Sequence, residues 1–169
     1  MIKKIFLSLV ILSLLSAIAC RNKADRKTSP DSGFGSDSVY GTVIADTITY
    51  DVIIRNPDPG DTWRARCLSR LNHKALIDSI FDLVYTGRAL AFNLETWEKL
   101  TPRQIKDIEE EQGFSRDNIG MIQFTEAWYL DPVNNTMTKE VLSMVLGSDF
   151  YNAGGELFGH KPVFRVELK

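Results

Sequence analysis

Histidine and cysteine are nearly absent from this chain: two of each in 169 residues. Two cysteines cannot staple a small disulfide scaffold or form a Cys-rich zinc site. His73 and His160 lie far apart in the sequence, and neither belongs to an H-E-x-x-H pattern; both read as surface residues without a role. No G-x-S-x-G and no P-loop occur. The Gly-rich stretch Asn152–Gly159 has no helix behind it to hold a phosphate, so it reads as a strand connection. An excess of one charge is missing too. The formal net charge is -2, which excludes the basic footprint of a nucleic-acid partner. No apolar run approaches the ~20 residues of a bilayer-spanning helix, and no internal repeat appears. The expectation is a chain that is not an enzyme, with no catalytic residues, no metal and no cofactor.

The amino-terminal residues read as an address. Lys3 and Lys4 precede the apolar run Ile5–Ile18, which ends in small residues; charged start, apolar middle and small end make a secretory signal peptide. The end Ala17-Ile18-Ala19-Cys20 resembles the lipobox of bacterial lipoproteins, with Ala17 where Leu is usual. That resemblance implies cleavage before Cys20, a diacylglycerol on its sulfur and an acylated amino terminus, which together anchor a protein durably. Loss of Met1–Ala19 removes Lys3 and Lys4, leaving 18 basic residues against 22 acidic ones. Arg21-Asn22-Lys23 carries neither an inner-membrane retention Asp nor an acidic export run, so the expected place is the outer membrane, with the domain facing the periplasm. Three parts follow: a signal peptide over 1–19, a lipidated Cys20 with a flexible tether over 20–38, and one domain over 39–169. The tether has a single large apolar residue, Phe34, too little to offset its ordering entropy. Cys67, the other cysteine, is expected to be buried on an apolar helix face as a small hydrophobe.

Within the domain, Val39–Ile44 and Thr47–Arg55 read as strands, broken at Ala45-Asp46; the second alternates with a period of two. Asp61 or Thr62 can cap a helix running to Leu71. His73–Thr86 carries Leu76, Ile77, Ile80, Phe81, Val84 and Tyr85 at helical spacing, with Gly87 behind it. Ala89–Phe92 reads as a short strand. Thr101-Pro102-Arg103-Gln104 starts a helix ending near Gln112. Ile119–Leu130 and Thr136–Leu146 form a hairpin, Tyr151–Lys161 a loop and Val163–Leu168 a last strand. The class is α+β: an antiparallel sheet with two to three helices packed on one face.

Glu126 interrupts the apolar row Ile122, Phe124, Trp128 and Leu130. A carboxylate there needs a partner, and Arg64, Arg66, Arg88 and Arg165 are the candidates. Glu98 and Glu140 show no spacing that pairs them with it. The same segment resembles the E-x-W-x-F-D strand of the GldN/PorN proteins, periplasmic components of the gliding-motility and type IX secretion machinery of Bacteroidetes. Glu126, Trp128 and Asp131 match that pattern as a structural motif, with Leu130 in place of Phe. Upstream, Leu76–Arg88 is similar to that group's helix, followed by Ala89–Phe92 and the helix start Leu100-Thr101-Pro102, so the order agrees over Ala75–Val145. The resemblance implies an assembly or structural role, with self-association or protein partners in the envelope. Tyr151, Leu157, Phe158 and Phe164, beside the sheet edge at Val163–Leu168, are the expected interface anchors. The competing expectation is an independent envelope lipoprotein that binds a small ligand or polysaccharide, with Trp63, Trp97 and Trp128 as stacking residues.

Overall fold

The computed structural model describes Asp37–Lys169. The expected signal peptide, Cys20 and the tether up to residue 36 lie outside the described residues. Ten elements follow in order: β1 (Asp37–Ser38), β2 (Gly41–Ile53), α1 (Thr62–Leu68), α2 (His73–Tyr85), β3 (Ala89–Phe92), α3 (Pro102–Glu109), a 3-10 turn (Arg116–Asn118), β4 (Ile119–Asp131), β5 (Thr136–Tyr151) and β6 (Leu157–Leu168). The strands form one antiparallel sheet in the order β1-β2-β4-β5-β6-β3. The fold is therefore α+β.

Local chemistry sets the helix ends. Asp61 caps α1 by accepting from Arg64 N, and Asn72 caps α2 by accepting from Ala75 N. Thr101 and Gln104 close a reciprocal capping box on α3, with Pro102 at its first position. Gly87 leaves α2 at φ +70°, the left-handed conformation a C′ glycine adopts without a Cβ penalty. Ile77, Ile80, Phe81 and Val84 of α2 and Ile105 of α3 join one core with Ile54, Ala89, Ala91, Ile119, Ile122, Met144, Leu146, Phe164 and Val166. Register aligns these strand residues in rows. Val52, Ile122 and Leu146 make one, and Tyr50, Phe124, Met144 and Val166 the next.

Three expectations are corrected here. The break at Ala45-Asp46 does not occur: β2 is one strand that absorbs the lost alternation in bulges between Val43 and Ala45 and between Ala45 and Ile48, with Thr47 at φ +58°. The loop over Tyr151–Lys161 shrinks to Asn152–Glu156, because β5 runs to Tyr151 and β6 begins at Leu157. Asn152 closes that turn with its side chain, accepting from Gly154 N and Glu156 N. Cys67 is exposed. Its helix, α1, buries no residue, so the apolar stripe that suggested burial meets no core.

Candidate interaction surface

The row of residues that begins in the core continues along β2, β4 and β5 as Ile48–Glu126–Val141 and Ala45–Trp128–Lys139. Glu126 is 5% exposed. Its Oε2 accepts from Tyr50 Oη at 2.8 Å and from Trp128 Nε1 at 2.9 Å. Burial, and then Glu126 itself, push the Tyr50 hydroxyl above its usual pKa. The Lys139 ammonium lies 4.2 Å from the Trp128 ring centroid, and the Tyr50 ring meets Trp128 edge-on. None of the four expected arginines reaches Glu126. Arg64 turns to Asp61, Arg88 to Thr86 and Arg165 to Glu167, and Arg66 is exposed. Two neutral donors from the same face of the sheet take that part. Of the resemblance motif, Glu126 and Trp128 meet directly. Asp131 instead shapes the β4–β5 turn, accepting from Val133 N and Asn134 N. Glu140 pairs across from Ala127 and so lies on the other face from Glu126; Glu98 is exposed near Thr96.

A second polar cluster stiffens the other end of the sheet, and nothing in the sequence reading anticipated it. The Asp149 side chain is 1% exposed and accepts from Arg55 Nη1 at 2.5 Å. Tyr151 Oη donates to the same carboxylate at 3.2 Å and accepts from Arg55 at 2.9 Å. His160 Nδ1 stands 3.0 Å from Asp149 Oδ1, off the hydrogen-bonding direction, so both atoms stay buried without a bonded partner. The carboxylate fits because β4 has Gly120 beneath it, where a Cβ would lie 1.7 Å from Asp149 Oδ1. His160 is thus part of a clamp rather than a free surface residue. His73 is likewise engaged, its Nε2 2.6 Å from Ile119 O. The signal missed was the alternation of β5 beyond Leu146, which puts Asp149 and Tyr151 on one face.

The clamp holds a hairpin whose tip is aromatic. Phe158 is 76% exposed, and its ring meets that of exposed Phe150 edge-to-face, with centroids 5.9 Å apart. With Gly159, His160 and Lys161 they border a hollow of about 350 Å³. Tyr151 is exposed and Leu157 half-buried beside them. Phe164 is a different matter. It is fully buried, edge-on to Phe81 in the core, so it cannot anchor a partner. The sheet edge expected at Val163–Leu168 is also closed, since β3 pairs with Arg165–Leu168. A larger cleft of about 570 Å³ lies between the Asn93–Glu95 loop, the Glu111–Phe114 segment and β5–β6, with Ser148 and Lys161 among its lining residues. Of the three tryptophans, Trp63 and Trp97 are exposed and Trp128 is half-buried over Glu126.

Among the described residues no helix is long and apolar enough to cross a membrane, and no group of three or more His, Cys, Asp or Glu could hold a metal ion. No protein-family model matches the chain, and no curated protein matches it.

Proposed function

We propose that this protein is a non-enzymatic component of an envelope assembly, tethered to the outer membrane by lipid on Cys20, with its domain in the periplasm. Its docking element is the β5–β6 hairpin. The observation that carries this reading is Phe158: a large aromatic ring exposed on a hairpin whose stem is held by Arg55, Asp149 and Tyr151. Apart from its edge-to-face contact with Phe150, a ring held in water contributes little to the isolated domain, whereas preorganised aromatics dominate interface energetics. The helices α2 and α3 cover one face of the sheet, a reading supported by their buried residues joining a single core cluster with buried residues of β3, β4, β5 and β6. The other face and the hairpin remain open to partners, either protein partners or a second copy. The GldN/PorN-like order of motifs over Ala75–Val145 supports a role in, or derived from, the gliding-motility or type IX secretion machinery.

The test is photo-crosslinking from position 158 in intact membranes. The expected result is a discrete cross-linked partner or oligomer, lost in Phe158→Asp while circular dichroism stays unchanged. The Cys20→Ser form should leave the membrane fraction. A second reading is favoured by the 570 Å³ cleft, whose Glu95, Glu111 and Gln112 side chains line a concave, half-apolar wall suited to a small ligand or glycan. Absence of any cross-link, together with saturable glycan binding, would transfer the function to that cleft.

A further inference from the structure

The two most exposed large apolar side chains among the described residues occupy one end of the sheet. Val39 is 98% exposed, in the turn between β1 and β2 with Tyr40. Val133 is 90% exposed, in the turn between β4 and β5. Pairing of Thr42 with Leu130 and of Asp131 with Thr136 brings the two turns to the same end. Leu130, Met137 and Ile44, all exposed, stand on the strands just behind. This is the end opposite the Phe158 hairpin, because β5 runs from Thr136 here to Tyr151 there. At ~3.4 Å per residue those 16 residues span about 50 Å.

Both turns hold their valines outward. Asp131 Oδ1 accepts from Val133 N at 2.9 Å and from Asn134 N at 3.0 Å, and Asn134 Nδ2 donates to Oδ2 at 2.6 Å. Asn135 completes the turn at φ +52°. The turn's one carboxylate is thereby spent on its own backbone rather than presented ahead of Val133. On the other turn the Tyr40 ring packs against Tyr129, and Gly41, at φ +113°, lies so close to β4 that a Cβ would stand 2.5 Å from Leu130 O.

What covers such a tip follows from its chemistry and from where the chain comes from. The tip offers two β-branched side chains on separate turns with the amphipathic Tyr40 ring beside them, a combination suited to a membrane–water boundary, and its turns carry no arginine of the kind that protein interfaces use. Cys20 lies 17 residues before Asp37, and Arg21, Lys23, Arg26 and Lys27 outnumber Asp25 and Asp31 between them. We infer that the Val39 and Val133 turns dip into the headgroup–acyl boundary of the lipid leaflet that carries the anchor, standing the sheet on the membrane with the Phe158 hairpin outermost. This rests on the reading of Cys20 as lipidated. Two valines alone bind a bilayer weakly; a short tether makes the second contact intramolecular and so raises its effective concentration. The apolar face of an interfacial amphipathic helix enters that boundary by ~5–10 Å, which sets the depth expected of these turns.

The experiment uses the full, lipidated chain in vesicles of phosphatidylethanolamine and phosphatidylglycerol. Cys67, which is exposed, is first replaced in Cys67→Ser. Single cysteines then carry an environment-sensitive fluorophore: Val39→Cys, Val133→Cys, Met137→Cys or Phe158→Cys. The expected result is a blue-shifted emission at 39, 133 and 137 that is quenched by shallow spin-labelled lipid, while 158 is quenched only by aqueous iodide. Val39→Asp with Val133→Asp should abolish the shift at 137 without releasing the protein. Labels at 39 and 133 as open to iodide as the label at 158, on protein that still floats with the vesicles, would overturn the inference and leave the anchor standing. Protein that does not float at all would overturn the anchor reading and this inference with it.

Discussion

Glu126 offers a sharp test of what stabilises the sheet outside the core. Its buried carboxylate accepts from two side-chain donors, Tyr50 Oη and Trp128 Nε1. A hydrogen bond to a charged group contributes about 1.5–3 kcal/mol, and a buried donor left unsatisfied costs about 1–3 kcal/mol. Tyr50 and Trp128 are only half-buried, so water can reach the hole left by a small residue. The unsatisfied-donor cost then largely drops out, the low end for two bonds to a charged group applies, and Glu126→Ala should cost about 3 kcal/mol. Glu126→Gln keeps one acceptor oxygen and should cost about 1 kcal/mol. Glu126→Leu separates two explanations. It restores volume and removes a buried charge, yet leaves both donors facing hydrocarbon, so it should lose at least about 2 kcal/mol and rank below Gln. Urea unfolding of the Cys20→Ser chain, followed by tryptophan fluorescence and far-ultraviolet dichroism, gives the ranking, with an unchanged m-value marking a native-state effect. A Leu variant as stable as the parent would refute the reasoning. It would mean that desolvation of the carboxylate cancels its two bonds, as happens when some buried ionic groups are replaced by apolar ones.

What could be read in the sequence depended on whether a local period survived. Helix α2 keeps its 3.6-residue spacing to Tyr85, and the row Ile122–Phe124–Glu126–Trp128 keeps a period of two, so both were legible. Strand β2 was legible only as two pieces, because bulges near Ala45 and Asp46 shift the alternation without ending the strand. The β5–β6 hairpin misled for a different reason. Gly154, Gly155 and Gly159 suggested one long loop, but only the first two lie in the turn, and Gly159 pairs with Phe150 inside the ladder. Of the expected anchors, Tyr151 and Phe158 reach the surface while Phe164 enters the core, because a register shift between Val145 and Gly147 places an extra residue on β6 just before it. The partners of Glu126 escaped a search by charge. Tyr50 was visible on the right alternation, yet a neutral hydroxyl and an indole N–H carry no sign that sequence inspection would match to a carboxylate. The Asp149 clamp joins residues from β4, β5, β6 and the segment just after β2, so no single stretch of sequence contains it.

Two further predictions follow from side-chain geometry. Gly120→Ala would press a methyl group onto Asp149 Oδ1 and should cost about 1–3 kcal/mol; wild-type stability, measured by urea unfolding, would show that Asp149 can move away from Arg55 without loss. The last concerns alkaline pH. The Tyr85 hydroxyl donates to Glu109, and burial first, then that carboxylate, push its pKa from 10.0 up to about 12. The folded chain therefore keeps a proton that the unfolded chain gives up near pH ~10. Between about pH 10 and 12 the native state binds more protons than the unfolded one, so stability must fall as pH rises. The contribution is complete below pH ~10 and gone above pH ~12, and at 1.36 kcal/mol per pKa unit it amounts to at most about 3 kcal/mol. Tyr85→Phe removes the titrating proton and the bond together. It should unfold more easily at pH ~8, by about 1 kcal/mol, yet lose less on going to high pH, so that its curve meets that of the parent in the alkaline range and crosses it if the full loss is realised. A residual slope is expected from Tyr50, which burial and then Glu126 also hold above its usual value. Parallel stability curves for Tyr85→Phe and the parent through the alkaline range would show that the hydroxyl titrates alike in both states, and that its contact with Glu109 does not join α2 to α3 energetically.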